Sequence, residues 1–332
     1  MTGSAAIETL LVTGATGFVG SHVIEAAAQF RFRMRALVRK AADTARLKEA
    51  GFDCVQGALE DRAALADAVS GVDAVLHLAA ATRARTPEEY ERANVGGTQA
   101  VVDAMLLAGR PRARLIYLSS LAAAGPPING RPITRDDPPR PLTTYGRTKL
   151  AGETVCLAAS DRLHVMILRA PAVYGPRDRD VYEFFRLAKF GVVPLPSAAT
   201  GQLQMIHARD LARALLLAAT SDGAGGVYHV AEARAYGWEE MARMVGAAVG
   251  RKVVVPRVPG IVLIAAATMS ETIARLLGKS TIFNREKADE LMAPGWLCET
   301  ELARRDFGFE AAIPLQAGFD ETARWYRQHG WL

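Results

Sequence analysis

Paired cysteines are absent from this chain. Cys54, Cys156 and Cys298 are the only three, lie far apart, and show neither a C-x-x-C step nor histidine-paired spacing. A disulfide framework or zinc site is therefore not expected, and reduced thiols in a cytoplasmic protein are. The histidines show no metal-ligand spacing either, so no metal is expected. No apolar run reaches the roughly 20 residues of a membrane-spanning helix. The greasiest stretch, Ile261 to Ala267 within Pro259–Lys279, is soon interrupted by Ser270, Glu271 and Arg275. A buried helix of a smaller lobe is expected there, the alternative being an apolar lid or a peripheral membrane contact. Met1 to Glu8 has no basic segment leading into an apolar one, so no signal peptide is expected. Positive charge is not concentrated. The formal net charge is +5, yet the densest cluster, Arg31, Arg33, Arg35, Arg39 and Lys40, alternates along a predicted strand and its end. That is the pattern of solvated side chains, and no nucleic-acid partner is expected.

What is present is enough apolar material for a full core: 332 residues, 50% hydrophobic. Strand-like runs at Leu10–Thr13, Met34–Val38, Cys54–Gln56, Ala74–His77, Leu115–Ser119 and Val165–Arg169 alternate with helical stretches. The helices are expected at Phe18–Phe30, Thr44–Ala50, Arg62–Val69, Glu88–Ala108 and Tyr145–Ser160. Strict alternation with near-continuous apolar strands predicts an α/β fold, a Rossmann-type doubly wound parallel sheet with helices on both faces. Residues 1–173 form the nucleotide-binding part, 203–232 return to it, and 174–202 with 233–332 make a smaller, mainly helical substrate lobe. The proline-rich stretch Gly125–Pro141 is expected to border the substrate pocket.

Chemistry enters with Tyr145 and Lys149. A four-residue helical step puts both on one face, and an ammonium beside a phenol favours the phenolate, drawing its pKa down from about 10. Such a pair donates and accepts protons, which suits a hydroxyl or ketone substrate. Upstream, an apolar strand turns at Gly14-Ala15-Thr16-Gly17 into a helix. Glycines at 14, 17 and 20 allow the backbone to approach a pyrophosphate that faces the helix N-terminus.

Taken in order, Thr13–Gly20, His77–Ala80, Asn94–Thr98, Ser119-Ser120, Tyr145–Lys149 and Arg169–Pro176 resemble the motifs of the extended short-chain dehydrogenase/reductases. The resemblance implies that Tyr145 transfers the proton, Lys149 binds the nicotinamide ribose, and Ser120 holds the substrate oxygen, with Ser119 as the fallback. It implies a cofactor cleft built from Gly14, Thr16, Gly17, Phe18, Val19, Leu59, Leu78, Ala79, Ala80, Asn94, Ser119, Tyr145, Lys149, Pro171 and Val173. His77 is expected to line that cleft through its backbone. Its long helices, Glu88–Ala108 and Tyr145–Ser160, further imply a homodimer. Cofactor choice turns on the end of the second strand. Ala36-Leu37-Val38-Arg39-Lys40 carries no acid until Asp43, so NADP(H) is favoured over NAD(H), with Arg39 as the main clamp on the 2′-phosphate and Lys40 as support. The family's usual aspartate near position 58 is Ala58 here, which leaves Leu59 to pack against the adenine.

Two further departures bear on the reaction. Ala172 stands where sugar-nucleotide enzymes usually carry asparagine, and Leu121-Ala122-Ala123-Ala124 follows Ser120 where dehydratases have an acid pair. The C-terminal Trp325-Tyr326-Arg327-Gln328-His329-Gly330-Trp331-Leu332 is similar to that of 3β-hydroxysteroid dehydrogenase-like and dihydroflavonol reductase-like members. An NADP-preferring oxidoreductase acting on a hydrophobic, sterol-like alcohol or ketone is the expectation. The alternatives are a nucleotide-sugar epimerase or dehydratase with bound NAD, using Arg177, Arg179 or Arg186 on a diphosphate, and a non-catalytic dinucleotide-binding regulator.

Overall fold

A computed structural model describes residues 7–30, 32–40, 44–276, 281 and 283–332. Arg31, Asp43 and Lys279, invoked above, lie outside the described residues. Seven strands form the central sheet: β1 (Thr9–Thr13), β2 (Arg33–Val38), β3 (Asp53–Gln56), β4 (Ala74–His77), β5 (Arg114–Ser120), β6 (His164–Ala170) and β7 (Gly226–His229). Their order is β7-β6-β5-β4-β1-β2-β3 and every pair is parallel. The winding direction reverses between β1 and β4, where Thr13 lies in register with His77. A crevice opens at the carboxyl ends of strands at such a reversal, which is where this topology receives ligands.

The inner strands bury nearly all of their length because helices cover both faces, while the edge strands β3 and β7 are less enclosed. Phe18–Ala27 and Ala208–Thr220 pack together on one face over Leu10, Val12, Leu76 and Met166. Arg62–Val69, Gly97–Ala108 and Thr144–Leu157 cover the other, over Leu11, Val75, Leu115 and Ile167. A third apolar cluster, separate from both, gathers Phe185, Tyr236, Trp238, Phe319 and Tyr326 from the second half of the chain.

Several expectations are corrected. The predicted Glu88–Ala108 helix is divided into Pro87–Tyr90, a π-helical stretch Glu91–Gly96, and Gly97–Ala108. Thr98 Oγ1 donates to the Asn94 carbonyl at 2.6 Å inside this wider turn. Within the expected return at 203–232, only Gly226–His229 joins the central sheet, whereas Met205–His207 pairs with Ala172–Tyr174 apart from it. Helix Gly260–Leu276 is not buried. Ala267 is enclosed, while Ile261, Val262, Met269, Ile273 and Leu276 are exposed.

Four histidines are buried neutral. Burial pushes His22 down to about 4 and His77, His207 and His229 down to about 3, from 6.5. The unfolded chain binds protons near pH 6.5 that the folded chain refuses until about pH 4. Their contribution to stability is complete above pH 6.5 and declines as the pH falls toward 4. Asp178, raised by burial to about 7, and Glu232, also raised by burial, act in the opposite sense, but His164 is lowered as well and the lowered histidines outnumber them. The urea midpoint is expected to fall on acidification across this window with an unchanged denaturant slope, as followed by circular dichroism. A flat or rising midpoint contradicts it.

Candidate functional site

The turn after β1 is made by steric necessity. Gly14 has φ +74°, and a Cβ there would sit 2.7 Å from the Ala79 nitrogen, so only glycine lets the turn rest on the end of β4. A Cβ on Gly20 would lie 2.3 Å from the Gly14 carbonyl, which fixes the helix start against the turn. Gly17 caps helix Phe18–Ala27 without a side-chain hydrogen bond, and Thr16 is exposed beside it. Open backbone N–H groups and a close approach at Leu78-Ala79 fit a dinucleotide pyrophosphate. Ala80 is exposed at the same strand end, and Leu59 packs on Gly97. At the end of β2, Arg39 and Lys40 are exposed.

Ser120 ends β5 and caps the short helix Leu121–Ala124, its Oγ accepting from the Ala122 N–H at 3.1 Å. Gly125, at φ +86°, packs so closely on the Arg140 backbone that a Cβ would collide with it. The Gly125–Pro141 stretch thereby closes on itself. It does not border the large cavity as expected, because Ile133 is pinned to the chain at Leu297 and Glu299 instead.

Helix Thr144–Leu157 carries the remaining polar groups on one face at four-residue steps. Tyr145, half-buried, faces Ser120 across the same cavity, and the serine side chain acts on its phenol. Lys149 Nζ donates to the Leu118 carbonyl at 2.6 Å and lies 3.9 Å from the centre of the Tyr117 ring. Glu153 accepts both Arg169 Nε at 2.9 Å and Nη2 at 2.6 Å, and also the Ser119 hydroxyl. Sequence reasoning missed Glu153, although its position eight residues after Tyr145 on the same face was a usable signal.

The tyrosine pKa runs against expectation. Burial raises the Tyr145 phenol, the neighbouring Ser120 side chain opposes that rise, and Glu290 and Asp180 add to it. Burial lowers Lys149 itself to about 7 and leaves it only partly charged at neutral pH, so it offers the phenol less than a full cation. His77 has its ring nitrogens 2.7 Å from Thr13 Oγ1 and 3.0 Å from Thr98 Oγ1, a structural role for the ring. Asn94 is buried, accepting from Ala81 N and donating to Ala81 O and Thr148 Oγ1. Both of its N–H groups are thus engaged by protein, and it clasps the strand β4 exit to the tyrosine helix.

Ser120 and Tyr145 open onto a cavity of about 420 Å³, which Phe18, Val19, Ser119, Pro171 and Val173 also line. Its far wall comes from the second half of the chain: Leu203, Met205, Trp238, Met241, Trp296 and Phe319. No spacing in the sequence marks these residues, since the fold alone brings them together. Four carboxyl side chains, Asp178, Asp180, Glu286 and Glu290, line the same space with two cations, each already paired: Arg83 with Asp180 and Lys287 with Glu290. Among the described residues lining it, Arg177, Arg179 and Arg186 do not appear. Arg177 forms a bidentate pair with Glu25, Arg186 pairs with Glu183, and Arg179 lies over the Trp331 ring.

Residues 10–231 match the model of the NAD dependent epimerase/dehydratase family. The ceramide reductase of Caulobacter vibrioides is 32% identical over 97% of this chain and 95% of that protein. The 4-hydroxy-2-methyl-3-oxo-4-farnesyl-3,4-dihydroquinoline-1-oxide ketoreductase of Stigmatella aurantiaca is 27% identical over 93% of this chain and 94% of that protein. Among solved structures, MoeE5 in complex with UDP-glucuronic acid and NAD superposes with a TM-score of 0.75 at 27% identity, covering 97% of this chain and 99% of that one. With the glycine turn and the Ser120–Tyr145 pair in place, the chain belongs to the NAD dependent epimerase/dehydratase family, the extended short-chain dehydrogenase/reductases, and is an oxidoreductase enzyme.

Proposed function

We propose that this enzyme interconverts a secondary alcohol and a ketone on a hydrophobic, sterol-like or otherwise lipophilic substrate, with NADP(H) preferred. The observation that carries the proposal is the position of the Ser120–Tyr145 pair at the floor of a cavity whose opposite wall is apolar. The nicotinamide, when bound, supplies or accepts the hydride. Ser120 orients the substrate oxygen, and Tyr145 Oη delivers a proton to it. The phenol is protonated at neutral pH and so has a proton to donate during ketone reduction. Lys149, held through Nζ on the Leu118 carbonyl, takes the role of the ribose-binding lysine in this reading.

A nucleotide-sugar substrate is favoured by structural relatives such as MoeE5, but the cavity argues against it. A diphosphate there would face four carboxyl groups and two cations already paired with them. The three arginines expected to receive it are engaged elsewhere. The non-catalytic alternative is disfavoured by Ser120 and Tyr145 facing the same cavity.

NADP preference is attributed to the guanidinium of Arg39, supported by Lys40, at the end of β2. The homodimer is proposed through Gly97–Ala108 and Thr144–Leu157, where Leu107 and Leu157 are exposed, and a sedimentation mass of one chain refutes it.

Two further outcomes follow from the site. Tyr145→Phe is expected to lower ketone reduction by about 10²- to 10⁴-fold while NADPH affinity, read by nucleotide fluorescence, stays within about twofold. Undiminished turnover removes the tyrosine from the mechanism. Arg39→Ala is expected to weaken NADPH by about ten- to a hundredfold, the loss of one charged hydrogen-bonding partner, and to leave NADH affinity unchanged. Equal loss for both nucleotides refutes the 2′-phosphate clamp.

A further inference from the structure

Helix Gly260–Leu276 presents an apolar stripe to the outside. At 100° per residue, Ile261, Leu276, Met269, Val262 and Ile273 fall within a sector of about 120°, and Ala265 and Thr272 fall among them. Ile261 and Leu276 are 78% and 82% exposed. Thr268 and Thr272 are exposed on this side too, yet each hydroxyl donates to the carbonyl four residues earlier, at 2.8 Å. Hydroxyls satisfied within their own helix need no water, which lets this face enter an apolar medium. The opposite side, with Ala267 enclosed, faces the protein.

A second exposed apolar group precedes the helix. Phe190, Val192 and Val254 are brought together by the hydrogen bonds Val193 N to Val254 O at 2.9 Å and Val254 N to Gly191 O at 2.8 Å. Lys189, Arg251 and Lys252 flank them and are exposed, with no ion pair among the described residues. The short strand Arg257–Val258 then leads directly into the helix.

From these surfaces we infer that the protein docks on an anionic lipid bilayer, with helix Gly260–Leu276 lying in the plane of the interface and Lys189, Arg251 and Lys252 meeting the headgroups. No helix among the described residues is long and apolar enough to cross a membrane, so this one rests on it. Its exposed stripe is roughly 22 Å long and one helix wide, on the order of 200 Å², whereas a stable dimer needs about 800 Å² per partner. The docking face also shares a wall with the cavity. Gly260 packs on Met292, Ser270 and Thr281 hydroxyls are 3.0 Å apart, and Thr281, Asn284, Glu286 and Leu291 line the cavity. A lipophilic substrate dissolved in the bilayer would meet that wall without crossing bulk water.

Flotation of the full chain with vesicles of phosphatidylcholine alone, or with added phosphatidylglycerol, tests the inference without any turnover. Binding is expected to the mixed vesicles, to weaken in high salt, and to drop by about tenfold or more in an Ile261→Glu, Leu276→Glu double variant. A Lys189→Glu, Arg251→Glu, Lys252→Glu variant is expected to lose the preference for phosphatidylglycerol. The melting temperature and NADPH affinity of both variants report that they are folded, since the substituted side chains are exposed. Absence of binding to either vesicle, undiminished binding by the double variant, or a wild-type oligomer that the double variant dissociates would each overturn the inference. The last would assign the stripe to a second copy of the chain.

Discussion

The buried pair between Arg169 and Glu153 sets where the catalytic helix lies. Arg169 is on β6 and Glu153 on helix Thr144–Leu157, and the bidentate geometry allows little sliding of one against the other. Both side chains are almost wholly enclosed, so removing one partner would leave an uncompensated charge at a cost of about 3–5 kcal/mol. The same register determines what lies one and two turns earlier on that helix face. Lys149 reaches the Leu118 carbonyl, and Tyr145 reaches Ser120. Close approach is made possible by Gly152, where a Cβ would lie 2.4 Å from the Tyr117 hydroxyl.

Features whose cause is local were legible in the sequence. The glycine turn, the first six strands and the Tyr145–Lys149 step each follow from a backbone or periodicity constraint that neighbouring residues state by themselves. Long-range effects were not. Whether the Gly125–Pro141 loop reaches the cavity depends on Ile133 finding the chain near residue 298, which no spacing encodes. The expected depression of the tyrosine pKa failed for a related reason. Proximity of a lysine can be read from a helix, but its burial to a pKa of about 7 depends on Tyr117, Leu118 and the packed sheet around it. Apolar composition alone likewise suggested a buried helix at Gly260–Leu276, whereas its outward stripe is visible only once the enclosed side is known.

The catalytic helix is held at its other end by the second half of the chain. Thr143 caps it through Gly146 N at 3.0 Å, while Glu286 accepts from Thr144 N at 2.9 Å and from the Thr144 hydroxyl at 2.7 Å. Carboxylates at a helix N-terminus are favoured by its dipole, so the short helix Arg285–Met292 is drawn onto the tyrosine by electrostatics as well as packing. That arrangement makes the wall of the cavity and the orientation of Tyr145 mutually dependent. Displacing Arg285–Met292 would both open the cavity and release the first turn that presents the phenol.

The same carboxyl groups select for what enters. Glu290 and Asp180 raise the Tyr145 pKa, and Asp178, itself raised to about 7 by burial, carries less than a full charge at neutral pH. An uncharged lipophilic ketone loses nothing to this field and gains from the apolar wall at Trp238, Met241 and Phe319. An anionic substrate would need cations to balance it, and Arg83 and Lys287 are already committed to Asp180 and Glu290. The sheet therefore supplies the geometry of proton transfer, burial raises the phenol with the acids adding to it, and the acids disfavour phosphorylated substrates by charge rather than by shape.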